Sequence, residues 1–283
     1  MKAAITLTPA ESKRLIAKAV ARMPEVRAAL EKAYVILGGG TTNAFVAEEL
    51  LEGSFEPARF TAGISSNGVL CVTNPADRIP FPIILYKGQV VEKTIKEAFE
   101  DFHPETVVIK GASAIDPEGN VGVIAAGFDG GTVGATIGTV AAQGLKYIVP
   151  VGLEKLVPSV KESSAYAGAK TLDYTMGADF GIVPLPKAVP VTEIVALKIL
   201  CGVEAKLVAA GGVGGSEGAV VLIITGEDDR VRAAVDLLES IKGEKPVKGA
   251  RGNCEACKYA CRFKGTREAD LPEWMRRYDL FAG

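Results

Sequence analysis

The chain has 283 residues, a formal net charge of −2, 48% hydrophobic residues and 23% charged residues. This composition supplies the core of one large domain or two smaller ones and argues against intrinsic disorder. The near-neutral charge argues against general nucleic-acid binding, and because no leader-like or long apolar segment is evident, we expect a cytoplasmic protein without a membrane anchor.

The amide content of the chain is low. There are five Asn and two Gln, whereas Lys, Glu and Val are plentiful. Scarce thermolabile amides and abundant charged residues are typical of thermophilic proteins, so the composition indicates a thermophilic source.

The first 150 residues alternate between helical and strand periodicity. Helical spacing with a break at Pro24 covers 9–32, and further helices are predicted over 92–102 and 132–144. Apolar strand segments lie between the helices, at 34–37, 69–72, 83–86, 89–91, 106–110 and 145–151. Strands alternating with helices predict an α/β fold with a mostly parallel sheet and helices on both of its faces.

From about residue 174 the order of elements changes. A strand at 180–185 and a helix at 191–201 are followed by two strands, 205–210 and 219–225, and a helix at 228–242. This order predicts a small α+β unit of ferredoxin-like type. We therefore predict three parts: an α/β domain over 1–170, a ferredoxin-like unit over 171–243, and a linker with a Cys-rich tail over 244–283.

The strongest local signal is a glycine loop between the strand 34–37 and the helix that follows it. Backbone N–H groups at a helix N-terminus attract anions, glycines let a ligand approach the backbone, and threonine hydroxyls add donors. The loop is neither a Walker loop nor a dinucleotide fingerprint, and the alternative is that its glycines only turn the chain. The predicted ligand-binding residues are Gly39, Gly40, Thr41, Thr42 and Asn43.

Other polar residues follow the predicted strands, where ligands bind in an open α/β sheet. We predict further ligand contacts from Ser65, Ser66, Asn67, Lys110 and Ser113, and catalytic roles for Asp116, Glu154 and Lys155. Lysines suit a phosphate or carboxylate, and Asp116 or Glu154 would be the general base. The alternatives are that Asp116 stabilises an Asp-Pro-Glu-Gly-Asn turn and that Glu154 and Lys155 form a solvated pair.

Three cysteines cluster near the end of the sequence, at Cys254, Cys257 and Cys261. On a helix these positions share one face, and the basic residues around them would offset thiolate charge. We therefore predict a zinc site or an iron–sulfur cluster, with buried or redox-active thiols as the alternative. Candidates for a fourth ligand are Cys71, Cys201, His103, a carboxylate and an exogenous molecule.

Three segments together resemble the isomerase and CoA-transferase-like superfamily, which includes ribose-5-phosphate isomerase, glucosamine-6-phosphate deaminase, CoA transferases and the lactate-utilisation domain. The segments are 38–43, 110–120 and 149–158, and the resemblance spans about residues 30–165. It implies an anionic ligand at the glycine loop. Two departures stand out: Ser113 occupies an acidic position of the isomerases, and Ser66 occupies the place of the CoA-transferase nucleophilic glutamate.

Taken together, these observations predict an enzyme that acts on a small phosphorylated or carboxylated metabolite or a CoA ester. A non-catalytic sensor of metabolite and of metal or redox state is the rival hypothesis, and a catalytic iron centre in the tail is a third. The expected partner is a small anionic molecule, and the sequence leaves homo-oligomerisation open.

Overall fold

The computed structural model describes residues 1–51 and 55–276 and has a mixed α/β architecture. The helices are α1 (Pro9–Arg22), α2 (Pro24–Lys32), α3 (Thr41–Leu50), α4 (Ile95–Glu100), α5 (Gly131–Gln143), α6 (Val160–Tyr166), α7 (Glu193–Cys201) and α8 (Asp228–Ser240). No helix within these ranges is both long and apolar enough to cross a membrane. The predicted α/β class is thus confirmed.

Fourteen strands are present in the described residues. They are β1 (Lys2–Leu7), β2 (Tyr34–Leu37), β3 (Gly63–Ser66), β4 (Val69–Val72), β5 (Ile83–Tyr86), β6 (Gln89–Val90), β7 (Val107–Ile109), β8 (Ala114–Ile115), β9 (Val121–Ala125), β10 (Lys146–Pro150), β11 (Gly181–Pro184), β12 (Ala188–Val191), β13 (Glu204–Gly211) and β14 (Ala219–Thr225).

A six-stranded sheet with the order β12-β10-β7-β2-β5-β6 lies at the centre of the fold. The first four strands are parallel, whereas β5 and β6 are antiparallel, so the sheet is mixed. The antiparallel part is a hairpin that turns at Lys87 and Gly88, both with positive φ. Because β2, β7 and β10 run in the same direction, their carboxyl ends meet at one edge of the sheet.

Apolar side chains of the central strands alternate between two cores. Along β2, Val35 and Leu37 face one core, while Tyr34 and Ile36 face the other. The first core also receives side chains from α1, α2, α3 and α7, and the second receives side chains from α4 and α5. Helices thus contribute apolar side chains to the cores on both faces of the sheet.

The predicted ferredoxin-like unit differs from the observed sheet. Its expected first strand, β11, pairs antiparallel with β9 in a separate three-stranded sheet. The N-terminal strand β1 instead pairs with β14, which also pairs with β13. The physical reason is that β14 is a central strand, and the backbone N–H and C=O groups on both of its sides need hydrogen-bond partners. β13 pairs with one side, and β1 provides a six-residue antiparallel partner for the other.

One continuous core joins this sheet to the central sheet. Leu7, Leu222 and Leu238 belong to the same apolar cluster as Val35 and Ile109. The cluster crosses the predicted boundary at residue 170, and the division into domains stays a prediction.

The cysteine tail is not a helix, so its cysteines do not share a helix face as their spacing would allow. Residues 251–266 form turns and bends, followed by short 3₁₀ turns at Glu268–Asp270 and Glu273–Met275. The backbone N–H of Gly265 bonds to the carbonyl of Cys254 (2.8 Å), and that of Gly252 bonds to Val72 of β4 (2.7 Å). These bonds tie the tail to the β3–β4 hairpin and replace a helical ladder. The predicted tail extends to residue 283, and its last seven residues lie outside the described ranges.

Candidate functional site

A cleft of about 960 Å³ opens at the carboxyl edge of the central sheet. Its walls come from the glycine loop after β2, the segment after β7, the β3–β4 hairpin and the start of α5. The structure brings nine of the predicted residues to this cleft: Gly39, Gly40, Thr41, Ser65, Ser66, Asn67, Lys110, Ser113 and Lys155.

The glycine loop is held rigidly by the neighbouring backbone. The Gly38 N–H donates to the carbonyl of Ile109 (3.0 Å), and the Gly40 N–H donates to Phe60 (2.8 Å). Gly40 has φ 154°, at the limit of the region that favours glycine. A fixed loop presents its backbone to the cleft at little ordering cost.

Asn43 holds the loop in place from behind. Its buried side-chain amide donates to the carbonyls of Gly38 (2.6 Å) and Ile109 (3.1 Å). Thr42 is also buried, and its hydroxyl has no hydrogen-bond partner among the described residues. Neither side chain lines the cleft, so of the predicted polar side chains in this loop only Thr41 faces it.

The N-terminus of α3 faces the cleft with free donors. The first helical bond runs from the Ala44 N–H to the Gly40 carbonyl (2.8 Å). The N–H groups of residues 41–43 precede this ladder and have no hydrogen-bond partner in the described part of the chain. They and the positive end of the helix dipole favour an anion here.

Lys110 brings a positive charge to the same place. Its stem packs so closely over Gly38 that a Cβ there would lie 2.7 Å from the Lys110 Cδ. The Lys110 Nζ donates to the Gly111 carbonyl (3.3 Å), and no carboxylate of the described residues lies within ion-pair distance of it. Burial, and next the positive charge of Lys155, lower the pKa of the Lys110 amine to about 8.

Lys155 and Lys13 add positive charge to the cleft. The Lys155 Nζ donates to the Ala112 carbonyl (2.8 Å), and burial lowers the pKa of this amine. Lys13 of α1 forms an ion pair with Glu154 (3.0 Å). Glu154 itself does not line the cleft, and its bond to Lys13 favours a role in positioning that lysine.

Asp116 lies within a turn rather than in the cleft. Its carboxylate accepts from the backbone N–H groups of Glu118, Asn120 and Val160 at 2.9–3.1 Å, and from the Asn120 side chain. Burial alone would raise the pKa of this carboxyl, but the donors at Val160 and Asn120 hold it below its usual range. These bonds favour the turn role over the catalytic role predicted from the sequence.

The serines and Asn67 serve partly to connect segments. The Ser113 hydroxyl accepts from the Ile124 N–H (3.1 Å), and the Ser66 hydroxyl donates to the Asn67 side chain (2.9 Å). The Asn67 amide donates to the Trp274 carbonyl (2.9 Å). The hairpin wall of the cleft is therefore joined directly to the tail.

The predicted metal ligands lie together, but not at coordination spacing. Cys254 is buried in a small apolar cluster with Val69, Phe263, Leu271 and Met275, and Cys261 packs against this cluster. Among the described residues, no three His, Cys, Asp or Glu side chains form a group that would hold a metal ion as they stand. The metal assignment stays a prediction.

Sequence reasoning missed several residues that line the cleft, among them Lys13, Thr132 and Cys71. Lys13 lies on the first helix, and nothing in its local sequence marks it. Thr132 is the second residue of α5, and its methyl carbon would lie 3.3 Å from a Cβ at Gly38, so α5 packs directly against the glycine loop. The glycine-rich sequence before α5 was the signal that could have predicted a second helix N-terminus at the cleft.

Comparisons of the chain with protein-family models, with curated proteins and with solved structures found no match. The residues of the cleft are therefore the basis for inferring the function.

A buried carboxyl behind the cleft predicts a pH-dependent stability. Burial, and next the charge of Glu154, raise the pKa of Glu193 from 4.5 to about 7. A carboxyl whose folded pKa is raised contributes stability below pH 4.5, and this contribution is lost as the pH rises through 7. We expect a Glu193→Gln variant to gain on the order of 3 kcal/mol relative to the unmodified protein between pH 4.5 and pH 8.

The measurement is chemical denaturation of both proteins across that range, and only the difference between them is used. Gln keeps an oxygen for the Leu153 N–H, which lies 3.0–3.2 Å from the Glu193 carboxylate. Parallel stability profiles for the two proteins would show that Glu193 titrates normally.

Proposed function

We propose that the protein is an enzyme whose cleft binds a small phosphorylated or carboxylated metabolite, or a CoA ester. The observation that carries the proposal is the partly buried Lys110, which has no carboxylate partner among the described residues and lies over the glycine loop. A buried cation without a counter-charge is costly, so an anionic ligand would supply the missing partner. The free N–H groups of α3 would donate to the same ligand.

The resemblance to the isomerase and CoA-transferase-like superfamily supports the same ligand class. In that superfamily a glycine-threonine loop binds the phosphate or other ligand. In this protein Gly39, Gly40 and Thr41 of the corresponding loop line the cleft. The reaction, the cytoplasmic location and any homo-oligomer remain predictions from the sequence.

The predicted catalytic carboxylates are engaged in other bonds, which favours a second candidate function, a non-catalytic sensor of an anionic metabolite. Asp116 is engaged in its turn and Glu154 in its pair with Lys13. Positions 66 and 113, where enzymes of the superfamily that the sequence resembles carry acidic groups, are serines. The sensor would use the same ligand contacts without a general base.

The two adjacent threonines allow a matched test of the ligand site. Thr41→Val removes a hydroxyl that faces the cleft, and we expect it to weaken binding of inorganic phosphate by about 1.5–3 kcal/mol, or roughly ten- to a hundred-fold. Thr42→Val removes a buried hydroxyl without a partner in the described residues and is expected to leave binding unchanged. Isothermal calorimetry at pH 7 measures both.

Equal affinities for the two variants would contradict a ligand on the α3 N-terminus. If phosphate binds as expected but no small phosphate or carboxylate ester is turned over, the sensor is favoured over the enzyme.

A further inference from the structure

A fourth cysteine lies beside the three cysteines of the tail, although it is 183 residues distant from Cys254 in sequence. Cys71 of β4 packs against the small apolar cluster that contains Cys254, and Cys261 packs against the same cluster. Val69, Phe263, Leu271 and Met275 form the rest of this cluster. Two distant parts of the chain therefore place their thiols at one apolar cluster.

Backbone bonds fix this juxtaposition. The Gly252 N–H bonds to Val72, the residue next to Cys71, at 2.7 Å. On the other side of the tail, the Ala260 N–H bonds to the Asp179 carboxylate (3.1 Å) and the Arg262 N–H bonds to the Thr175 carbonyl (3.1 Å). The cysteine segment is thus anchored at both ends against the body of the protein.

Cys257 belongs to the same group, because its backbone N–H donates to the Cys254 carbonyl (3.2 Å). An Arg251 Nη1 lies 3.4 Å from the Cys254 Sγ and would offset thiolate charge.

We propose that Cys71, Cys254, Cys257 and Cys261 form a four-thiolate site for a thiophilic metal centre, either one zinc ion or an iron–sulfur cluster. Cys71 supplies the fourth ligand that the tail motif lacks. Each thiol gives up its proton on binding, and the protons go to solvent. The thiols are not at coordination spacing as they stand. Metal binding would have to draw them together, chiefly through the side chains and turns of 251–266, which contain no regular helix or strand.

The position of Cys71 places the proposed metal centre next to the cleft. Cys71 also lines the cleft described above, so the metal centre forms part of the cleft wall. This inference is independent of the anion site, because it uses none of the residues of the glycine loop.

The test compares Cys71→Ser with Cys201→Ser in protein purified anaerobically and, in a second preparation, reconstituted with iron and sulfide or with zinc. Cys201 lies on α7 and is the matched cysteine outside the group. We expect Cys71→Ser and Cys254→Ser each to lose at least ten-fold in metal content, while Cys201→Ser retains it. A visible absorption band with acid-labile sulfide identifies an iron–sulfur cluster, and a colourless protein with one zinc identifies a zinc site.

A second measurement on the unmodified protein guards against misfolding of the variants. Alkylation followed by mass spectrometry should find Cys71 protected in the metal-loaded protein and reactive after chelation, with Cys201 unchanged. Full metal content in Cys71→Ser, equal loss in Cys201→Ser, or no metal in any preparation would overturn the proposal.

Discussion

Lys110→Met is expected to weaken binding of inorganic phosphate at pH 7 by about 3 kcal/mol, or roughly 100-fold. The substitution keeps an unbranched stem over Gly38 and removes the charge that the ligand would neutralise. Because the pKa of Lys110 is about 8, binding by the unmodified protein should also weaken as the pH rises above 8. Isothermal calorimetry at several pH values measures both effects.

Lys96→Met is the control for Lys110→Met. Lys96 is exposed on α4, pairs with Glu100 (3.7 Å), and its loss changes the net charge of the protein equally. We expect the control to bind phosphate as the unmodified protein does. An equal loss of phosphate affinity in both variants would show that the effect comes from the net charge of the protein. An unchanged affinity in Lys110→Met would show that phosphate binds elsewhere.

Arg251→Met is expected to release the tail from the protein. The Arg251 side chain is fully buried and donates to the carbonyls of Met275 (2.7 Å) and Gly252 (2.9 Å), and to Glu268 (2.7 Å). Met fills much of the space but makes none of these bonds, so the two carbonyls lose a donor. We expect a local destabilisation of about 2–4 kcal/mol, because the carbonyls lose their donor. The Glu268 side chain is 36% exposed, so its charge is largely screened by water and adds little.

Hydrogen exchange shows this release directly, as faster exchange of amides in 250–276 than in the central sheet. Arg267→Met is the matched control, because Arg267 is exposed and pairs only locally with Asp270 (2.6 Å). Unchanged protection in the Arg251 variant would show that the apolar cluster around Met275 holds the tail without Arg251.

Local sequence was sufficient to predict the parts of the fold that depend on short-range order. The strand β2, the glycine loop and α3 follow from an apolar run, three glycines and helical spacing. The hairpin of β5 and β6 follows from Lys87-Gly88 between two apolar runs. These features are determined within about a dozen residues, where periodicity and turn chemistry decide the outcome.

The remaining features depend on contacts between distant residues. β1 pairs with β14 across more than 200 residues, and no local signal distinguishes that partner from β11. The tail cysteines have helical spacing, but bonds from Gly252 to β4 impose turns instead. For the same reason the approach of Lys13 and of Cys71 to the cleft was not predicted, since neither has a marked local context.

The anion site at the glycine loop is the central claim, and backbone NMR during a phosphate titration tests it most directly. We expect the amide resonances of Gly39, Gly40 and Thr41 to shift together and saturate with one affinity, while those of the glycine-rich loop 212–218 stay unchanged. Shifts centred on 212–218, or no saturable shift at the loop after β2, would contradict the account.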